Sequence, residues 1–144
     1  MKIQVYSDGS GNTFNGTGGW AYRIIIDGEV KAQAGGHLPY ATNNVAELYG
    51  AVEGLSETKR ILDAGAHEDF ECWLVSDSKL VLGYADGSFK CKAKHLEVLH
   101  KKIRELYVSL SVKTLWVKGH SGDTHNEACD KLAKAARKSS EPAG

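Results

Sequence analysis

The sequence predicts an α/β fold, in which a mixed five-stranded sheet of three antiparallel strands and then two parallel strands carries helices on both faces. Residues 2–8 (KIQVYSD) alternate in polarity with the period of a strand. Asp27 and Gly28 interrupt the next apolar stretch, and this pair of residues is typical of a tight hairpin turn. Each later strand-like segment follows a segment of helical spacing, and parallel strands need such crossovers.

The first half of the chain contains three predicted strands and one long helix. After the first strand, residues 9–19 (GSGNTFNGTGG) are predicted to form a glycine-rich loop. The hairpin follows, and its two strands extend the antiparallel part of the sheet. Over residues 42–62 the apolar residues recur at helical spacing, and Thr42, Asn43 or Asn44 is available as the amino-terminal cap.

The second half of the chain alternates strands and helices. The predicted strands are residues 70–77 (FECWLVSD) and 113–119 (KTLWVKG), and the predicted helices are residues 78–87, 93–110 and 125–138. The longest of these helices has an apolar stripe along one side, which is typical of a helix packed on a sheet.

Length and composition limit the classes of protein to consider. The 144 residues suit one domain, which we assign to residues 1–138, with residues 139–144 as a flexible tail. The formal net charge is zero, so nucleic-acid binding requires local patches. No apolar run reaches the roughly 20 residues of a membrane span, so no membrane partner is expected. Cys72, Cys91 and Cys129 lack paired spacing, which predicts reduced thiols in a cytoplasmic protein.

Acidic residues stand where two strands of the predicted sheet end. Asp8 ends one strand and Asp77 another, and adjacent parallel strands would bring both to the carboxyl edge, where open α/β sheets bind ligands. Glu47 lies near the start of the first long helix, and Asp130 lies in the first turns of the last helix. Each acid alone is commonly a solvated turn residue or a cap. Together they would repel one another, which indicates a divalent cation such as Mg²⁺.

Residues 117–136 (VKGHSGDTHNEACDKLAKAA) combine histidines, a cysteine and acids within a short span. A zinc site formed by His120, His125 and Cys129 would need a fourth ligand, and its spacing fits no common structural zinc pattern. The alternative is a helix start, with Asp123 as the cap. On that interpretation Cys129 is buried on the inner face of the helix and His125 is a solvated loop residue.

Four segments together resemble the type 1 ribonuclease H family. Each motif alone is weak, but they occur in the family's order and spacing, and the match runs from about residue 2 to residue 137. The segments are residues 6–22 (YSDGSGNTFNGTGGWAY), 42–55 (TNNVAELYGAVEGL), 75–83 (VSDSKLVLG) and 116–133 (WVKGHSGDTHNEACDKLA).

The resemblance implies a monomeric nuclease that hydrolyses the RNA strand of an RNA/DNA hybrid, leaving a 5′-phosphate and a 3′-hydroxyl. It implies two Mg²⁺ ions, with Mn²⁺ as a substitute, and a mobile catalytic histidine at His120. Asp8 and Asp77 would be the central ligands, Glu47 would orient the substrate through its 2′-hydroxyl, and Asp130 would complete the site. The expected catalytic and metal-binding carboxylates are thus Asp8, Glu47, Asp77 and Asp130.

The resemblance also implies substrate contacts near these acids. Gly9, Ser10, Asn43 and Asn44 match positions on the minor-groove face, where the 2′-hydroxyl distinguishes RNA from DNA. Thr42 resembles a threonine that holds a phosphate of the DNA strand. Asn43 and Asn44 equally suit a helix start.

The chain departs from the family at a position where many members have an asparagine that contacts DNA. An ungapped alignment places Phe14 there, and either Asn12 or Asn15 is the expected replacement.

A second departure is the short segment between residues 84 and 95 (YADGSFKCKAKH), where many members carry a basic helix that grips the hybrid. The handle is expected to be absent here or reduced to Lys90, Lys92, Lys94 and His95, with Tyr84 and Phe89 as candidate stacking groups. The alternative for these lysines is a solvated loop. As phosphate contacts, they would make binding of the hybrid depend on salt.

Three other interpretations compete with a hybrid nuclease. A binding module without activity would lack one of the four acids, and all four are present. A transposase, resolvase or exonuclease core also gathers carboxylates, but lacks the joint TNNVAE and KGHSGD motifs. The third interpretation is an excised domain of a reverse transcriptase. The start at Met1 instead favours a free-standing enzyme.

Overall fold

The computed structural model describes residues 1–12, 16–65 and 69–139. It confirms the predicted mixed sheet of five strands with helices on both faces. A turn of 3-10 helix (Lys94–Leu96) precedes the third helix. The elements are β1 (Lys2–Gly11), β2 (Gly18–Ile26), β3 (Glu29–Leu38), α1 (Asn43–Ala64), β4 (Glu71–Ser76), α2 (Lys79–Asp86), α3 (Glu97–Ser109), β5 (Lys113–Trp116) and α4 (Thr124–Lys138).

The order of strands across the sheet is β3-β2-β1-β4-β5. The first three strands form an antiparallel meander, whereas β4 pairs parallel to β1 on its other side and β5 pairs parallel to β4. The parallel pairing of β1 with β4 runs as far as Tyr6 opposite Val75. Asp8 and Asp77 therefore leave neighbouring strands in the same direction, at the carboxyl edge of the parallel strands.

Two hydrophobic clusters lie on opposite faces of the sheet, because successive side chains of a strand point to opposite sides. Ile3 and Val5 of β1 belong to the larger cluster, which includes residues of α1, α2 and α3. Tyr6 belongs to the smaller cluster, in which Cys129 and Ala133 of α4 also lie. The prediction that Cys129 is buried on the inner face of the last helix is confirmed.

The prediction of a glycine-rich loop over residues 9–19 is wrong at both ends. Gly9 pairs with Trp20, and Gly11 pairs with Gly18, so the hairpin of β1 and β2 extends well beyond Asp8. A Cβ atom on Gly9 would lie 2.1 Å from the backbone nitrogen of Glu47. A glycine is therefore needed at position 9 because α1 packs closely against β1 there.

Side chains cap the helices next to the carboxyl edge of the sheet. The Thr42 hydroxyl accepts a hydrogen bond from the Val45 backbone at the start of α1, which selects Thr42 among the predicted caps. The Asp123 carboxylate caps α4 by accepting from the backbone nitrogens of His125 and Asn126, as predicted. These caps satisfy donors that the first turn of a helix leaves unpaired.

Cys72, Cys91 and Cys129 are all free thiols. Burial raises the pKa of the Cys72 and Cys129 thiols to about 12, so both remain protonated. Within the described ranges, no helix is both long enough and apolar enough to span a bilayer.

Candidate active site

Asp8 is the centre of the acidic cluster. Its side chain is buried, at 6% relative exposure, and the Gly9 backbone nitrogen donates to Oδ1 at 2.8 Å. Burial, followed by the charges of Asp77, Asp130 and Glu47, raises the pKa of Asp8 to about 8. The structure therefore brings together all four acids that the sequence singles out, from β1, α1, α4 and the turn after β4.

Asp77 follows β4 directly and is half-buried. Burial and the charge of Asp130 raise the pKa of its carboxyl, while a hydrogen bond from the Asn126 side chain and the nearby His120 oppose that rise. The indole nitrogen of Trp116 donates to the Asp77 backbone oxygen at 3.0 Å. Asp77 is thus held from both its backbone and its side chain.

Glu47 occupies the second turn of α1, off the buried side of the helix. Burial raises the pKa of its carboxyl, and hydrogen bonds from Ser78 and Asn43 oppose that rise. The Asn43 amide donates to Glu47 Oε1 and its carbonyl oxygen accepts from the Gly11 backbone at 3.2 Å. Asn43 therefore connects the end of β1 to Glu47.

Asp130 lies on α4 with its side chain 24% exposed. Lys134, one turn later on the same helix, places Nζ 3.1 Å from Asp130 Oδ2. Because this ion pair faces solvent, it stabilises the protein by only roughly 0.5 kcal/mol, and another cation can readily replace the Lys134 ammonium.

His120 is exposed on the loop between β5 and α4. Its backbone is left-handed, with φ of 55°, and Gly122 has φ of 91°. A left-handed histidine is uncommon, and such conformations concentrate at functional loops. His120 lies close enough to Asp77 to lower the pKa of that carboxyl.

The expectation that His125 is a solvated loop residue is wrong. It is the second residue of α4 and is half-buried, with its ring centroid 5.2 Å from that of Tyr6. Arg23 Nη1 lies 3.1 Å from His125 Nδ1, and since a guanidinium only donates, Nδ1 accepts. This contact joins β2 to α4, and because the two residues are far apart in the chain, their spacing in the sequence does not predict it.

Asn126 is a further residue of the candidate site, which the sequence did not single out. It is 2% exposed, its amide donates to Asp77, and its Oδ1 atom has no hydrogen-bond partner. In the sequence, only its position points to the site: it lies four residues before Asp130, and this spacing places the two side chains on the same helix face.

The other expected contact residues surround the cluster. Gly9 and Ser10 lie in β1, whereas Thr42, Asn43 and Asn44 are exposed at the start of α1. An open cavity of about 700 Å³ joins the end of β1 to the start of α1, and its lining includes Asn12, Thr42, Asn43 and His95. Asn15 lies outside the described residues.

The three lysines of the short segment after α2 are exposed. Lys90 and Lys92 line an open cavity of about 530 Å³ together with Phe89, which is 45% exposed. Tyr84 does not suit the expected stacking role, because it is 4% exposed and packs edge-on against His100. The apolar neighbours of α2 and α3 bury it.

Comparisons with known proteins agree with this geometry. The RNase H family model matches residues 1–138. Ribonuclease HI of Campylobacter jejuni is 34% identical over 134 residues, which cover 93% of this chain and 90% of that protein. Ribonuclease H of Campylobacter concisus is 35% identical over 135 residues, which cover 93% and 92%.

Solved structures show the same fold. The amino-terminal RNase H domain of rv2228c from Mycobacterium tuberculosis superimposes with a TM-score of 0.82 at 27% identity, covering 96% of this chain and 94% of that one. LC11-RNase H1, solved in complex with an RNA/DNA hybrid, has a TM-score of 0.81 at 21% identity, covering 95% and 97%. The chain therefore belongs to the type 1 ribonuclease H family and is a ribonuclease H enzyme.

Proposed function

We propose that the enzyme is a metal-dependent endonuclease that hydrolyses the RNA strand of RNA/DNA hybrids by a two-metal-ion mechanism, leaving 5′-phosphate and 3′-hydroxyl ends. The observation that carries the proposal is the buried Asp8 carboxyl, whose pKa rises to about 8 beside three further carboxylates. The hybrid bound by LC11-RNase H1 supports the choice of substrate, since that protein shares the fold.

The acidic cluster fits a divalent cation by its chemistry. Its donors are carboxylate oxygens, which Mg²⁺ prefers and Mn²⁺ also accepts, and their mutual repulsion makes a cation favourable. Within the described ranges, no three acidic, histidine or cysteine side chains are arranged as a complete metal site. Binding would therefore draw the carboxylates closer. The proposed ligands are Asp8, Glu47, Asp77 and Asp130.

The bound ions would supply an activated water and stabilise the leaving oxygen of the phosphodiester. The protein residues position the reactants. Glu47, fixed by Asn43 and Ser78, would accept a hydrogen bond from the ribose 2′-hydroxyl, which DNA lacks. His120 would take up or deliver a proton as the product leaves, because its loop reaches the cluster from the exposed side.

The hybrid would lie across the carboxyl edge of the sheet. Thr42 and Asn12 share one cavity there, which suits a phosphate of the DNA strand. Gly9, Ser10, Asn43 and Asn44 remain the proposed contacts to the minor groove, and Asn15 remains the alternative to Asn12. Lys90, Lys92 and Lys94 would contact phosphates farther along the duplex.

We propose that the enzyme acts as a monomer in the cytoplasm. All four acids come from one chain, so the site does not require a second copy. The three free thiols suit a reducing compartment. Light scattering at several protein concentrations tests the monomer, and localisation of a tagged protein in fractionated cells tests the compartment.

The test of the proposed function uses a labelled RNA/DNA hybrid in Mg²⁺, beside double-stranded RNA, single-stranded RNA and an EDTA control. We expect cleavage within the RNA strand of the hybrid alone, and loss of cleavage with EDTA and with Asp77→Asn. Phosphatase and ligase treatment of the fragments then identifies their ends. Binding of the hybrid without cleavage in either Mg²⁺ or Mn²⁺ would instead indicate a binding module.

A further inference from the structure

Trp116 forms an exposed aromatic surface beside the acidic cluster. It is the last residue of β5 and is 46% exposed, although its indole nitrogen is fixed by the Asp77 backbone oxygen at 3.0 Å. The ammonium of Lys79, the first residue of α2, lies 4.8 Å from the centre of the indole ring. A half-exposed tryptophan held rigidly next to a catalytic candidate is available to a ligand.

A second tryptophan–lysine pair lies at the opposite end of the same two strands. Lys113 Nζ lies 5.4 Å from the ring centre of Trp73, its register partner across β4 and β5. There the acid Glu71 accepts from the indole of Trp73 at 2.8 Å and pairs with Lys113 at 3.1 Å. Glu71 therefore balances the charge of Lys113 in that pair.

The pair beside the active site has no such acid. In the part of the chain that the structure describes, no carboxylate forms an ion pair with Lys79, so its ammonium is available to pair with a phosphate. The exposed Lys118 of the following loop has no ion-pair partner among the described residues either. The two pairs share their residue types, but Lys113 is already paired with Glu71 whereas the Lys79 ammonium pairs with no acid, so only Lys79 is available to an anionic ligand.

An exposed aromatic ring beside a lysine that is not engaged in an ion pair is an arrangement with which proteins hold single-stranded nucleic acid. A base within a duplex has neighbours on both faces, so only an unpaired nucleotide can stack on the indole. Base stacking on an aromatic ring is stronger than an exposed cation–π contact. An arriving base would displace the Lys79 ammonium from the ring and leave it free to meet the nucleotide's phosphate.

We propose that Trp116 and Lys79 form a subsite for an unpaired nucleotide, at the point where a strand leaves the hybrid beside the acidic cluster. The subsite rests on the proposed action on hybrids, and it adds a preference for junctions between hybrid and single strand. Stacking tolerates any base, so the preference depends on the extension and not on its sequence.

The test measures the affinity of the Asp77→Asn variant, in Mg²⁺, for a blunt hybrid and for hybrids with a short single-stranded extension at either end. Asp77→Asn keeps the backbone oxygen that holds Trp116 while suppressing cleavage. We expect one type of extension to lower Kd about fivefold, equal to about 1 kcal/mol. Binding should also quench tryptophan fluorescence, because the base covers the indole.

Two variants separate the ring from its hydrogen bond. Trp116→Leu and Trp116→Phe both lose the indole N–H that binds Asp77, but phenylalanine keeps an aromatic face. We expect Trp116→Leu to abolish the advantage of the extension and Trp116→Phe to keep most of it. Lys79→Gln should reduce the slope of log K against log salt by about 0.7 for the extended hybrid. Trp73→Leu and Lys113→Gln are the matched controls, and should change neither quantity.

The outcomes distinguish this inference from the proposed function. Equal affinities for blunt and extended hybrids, or an advantage that survives Trp116→Leu, would overturn the subsite. Loss of the advantage in Trp116→Phe as complete as in Trp116→Leu would also overturn it, since the hydrogen bond would then explain the effect. If the unmodified enzyme neither binds nor cuts a blunt hybrid, the proposed function fails and the subsite fails with it.

Discussion

Asn126 donates a hydrogen bond from its buried side-chain amide to the carboxylate of Asp77. The bond lowers the pKa of Asp77 against the effect of burial, so it helps to keep this acid charged. We therefore assign Asn126 as a positioning residue, which orients the proposed metal ligand Asp77 and favours its charged form.

We predict that Asn126→Ala lowers kcat/KM at neutral pH by about 10- to 100-fold, the loss expected if Asn126 orients Asp77 as the proposed metal ligand. The pKa of Asp77 would rise in the variant, so the deficit should shrink as the pH is raised. A pH–rate profile checks this prediction. A deficit of constant size from pH 6 to about pH 9 would show that Asn126 acts only through packing.

We predict that Asp8→Asn stabilises the metal-free protein at high pH. The pKa of Asp8 is raised from 3.8 to about 8 in the folded state, so its contribution to stability is full below pH 3.8 and is lost as the pH rises to about 8. The variant should therefore match the parent near pH 4 and exceed it above pH 8, by on the order of 5 kcal/mol.

Urea unfolding in EDTA across this pH range measures the difference for Asp8→Asn. Adding Mg²⁺ should reduce it, because a bound cation favours the charged carboxylate. Asp63→Asn, on the exposed side of α1, is the control and should change stability by less than about 0.5 kcal/mol. A variant less stable than the parent at high pH in EDTA would contradict the prediction.

We predict that Gly9→Ala destabilises the protein by about 3 kcal/mol or more, because its Cβ would lie 2.1 Å from the backbone nitrogen of Glu47. Backbone at that distance must move, so the start of α1 would shift together with Glu47. Gly65→Ala is the matched control, since the nearest atom to its Cβ is 3.8 Å away. Thermal unfolding of both variants gives the comparison, and equal effects would contradict close packing at Gly9.

We predict that alanine at Lys90, Lys92 and Lys94 raises KM for the hybrid, flattens the dependence on salt and spares kcat. Each phosphate contact that is lost should reduce the slope of log K against log salt by about 0.9. The control replaces three lysines that pair with acids elsewhere, Lys31, Lys59 and Lys113. If both triple variants have the slope of the parent, the cluster is only a solvated segment.

Local patterns predicted most of the secondary structure. The alternation of residues 2–8 and the apolar stripe of residues 42–62 identified β1 and α1, because a side chain's burial in each element depends on a short repeat. The turn at Asp27 and Gly28 was located from residue types alone, and both residues have positive φ. The glycines beyond Asp8 misled the same reasoning, since a glycine needed for close packing cannot be distinguished from a loop glycine in a sequence.

The sequence by itself singled out the four acids, the Asp123 cap and the order of elements, because these depend on residue type and on short spacing. Only the tertiary structure decided which residues of different elements come into contact. The pairing of β4 with β1 brings Asp77 close to Asp8. Packing of α4 places Asn126 against Asp77 and His125 against Arg23, and the end of β5 places Trp116 against Lys79. Contacts between residues distant in the chain arise from packing of whole elements, which no local pattern encodes.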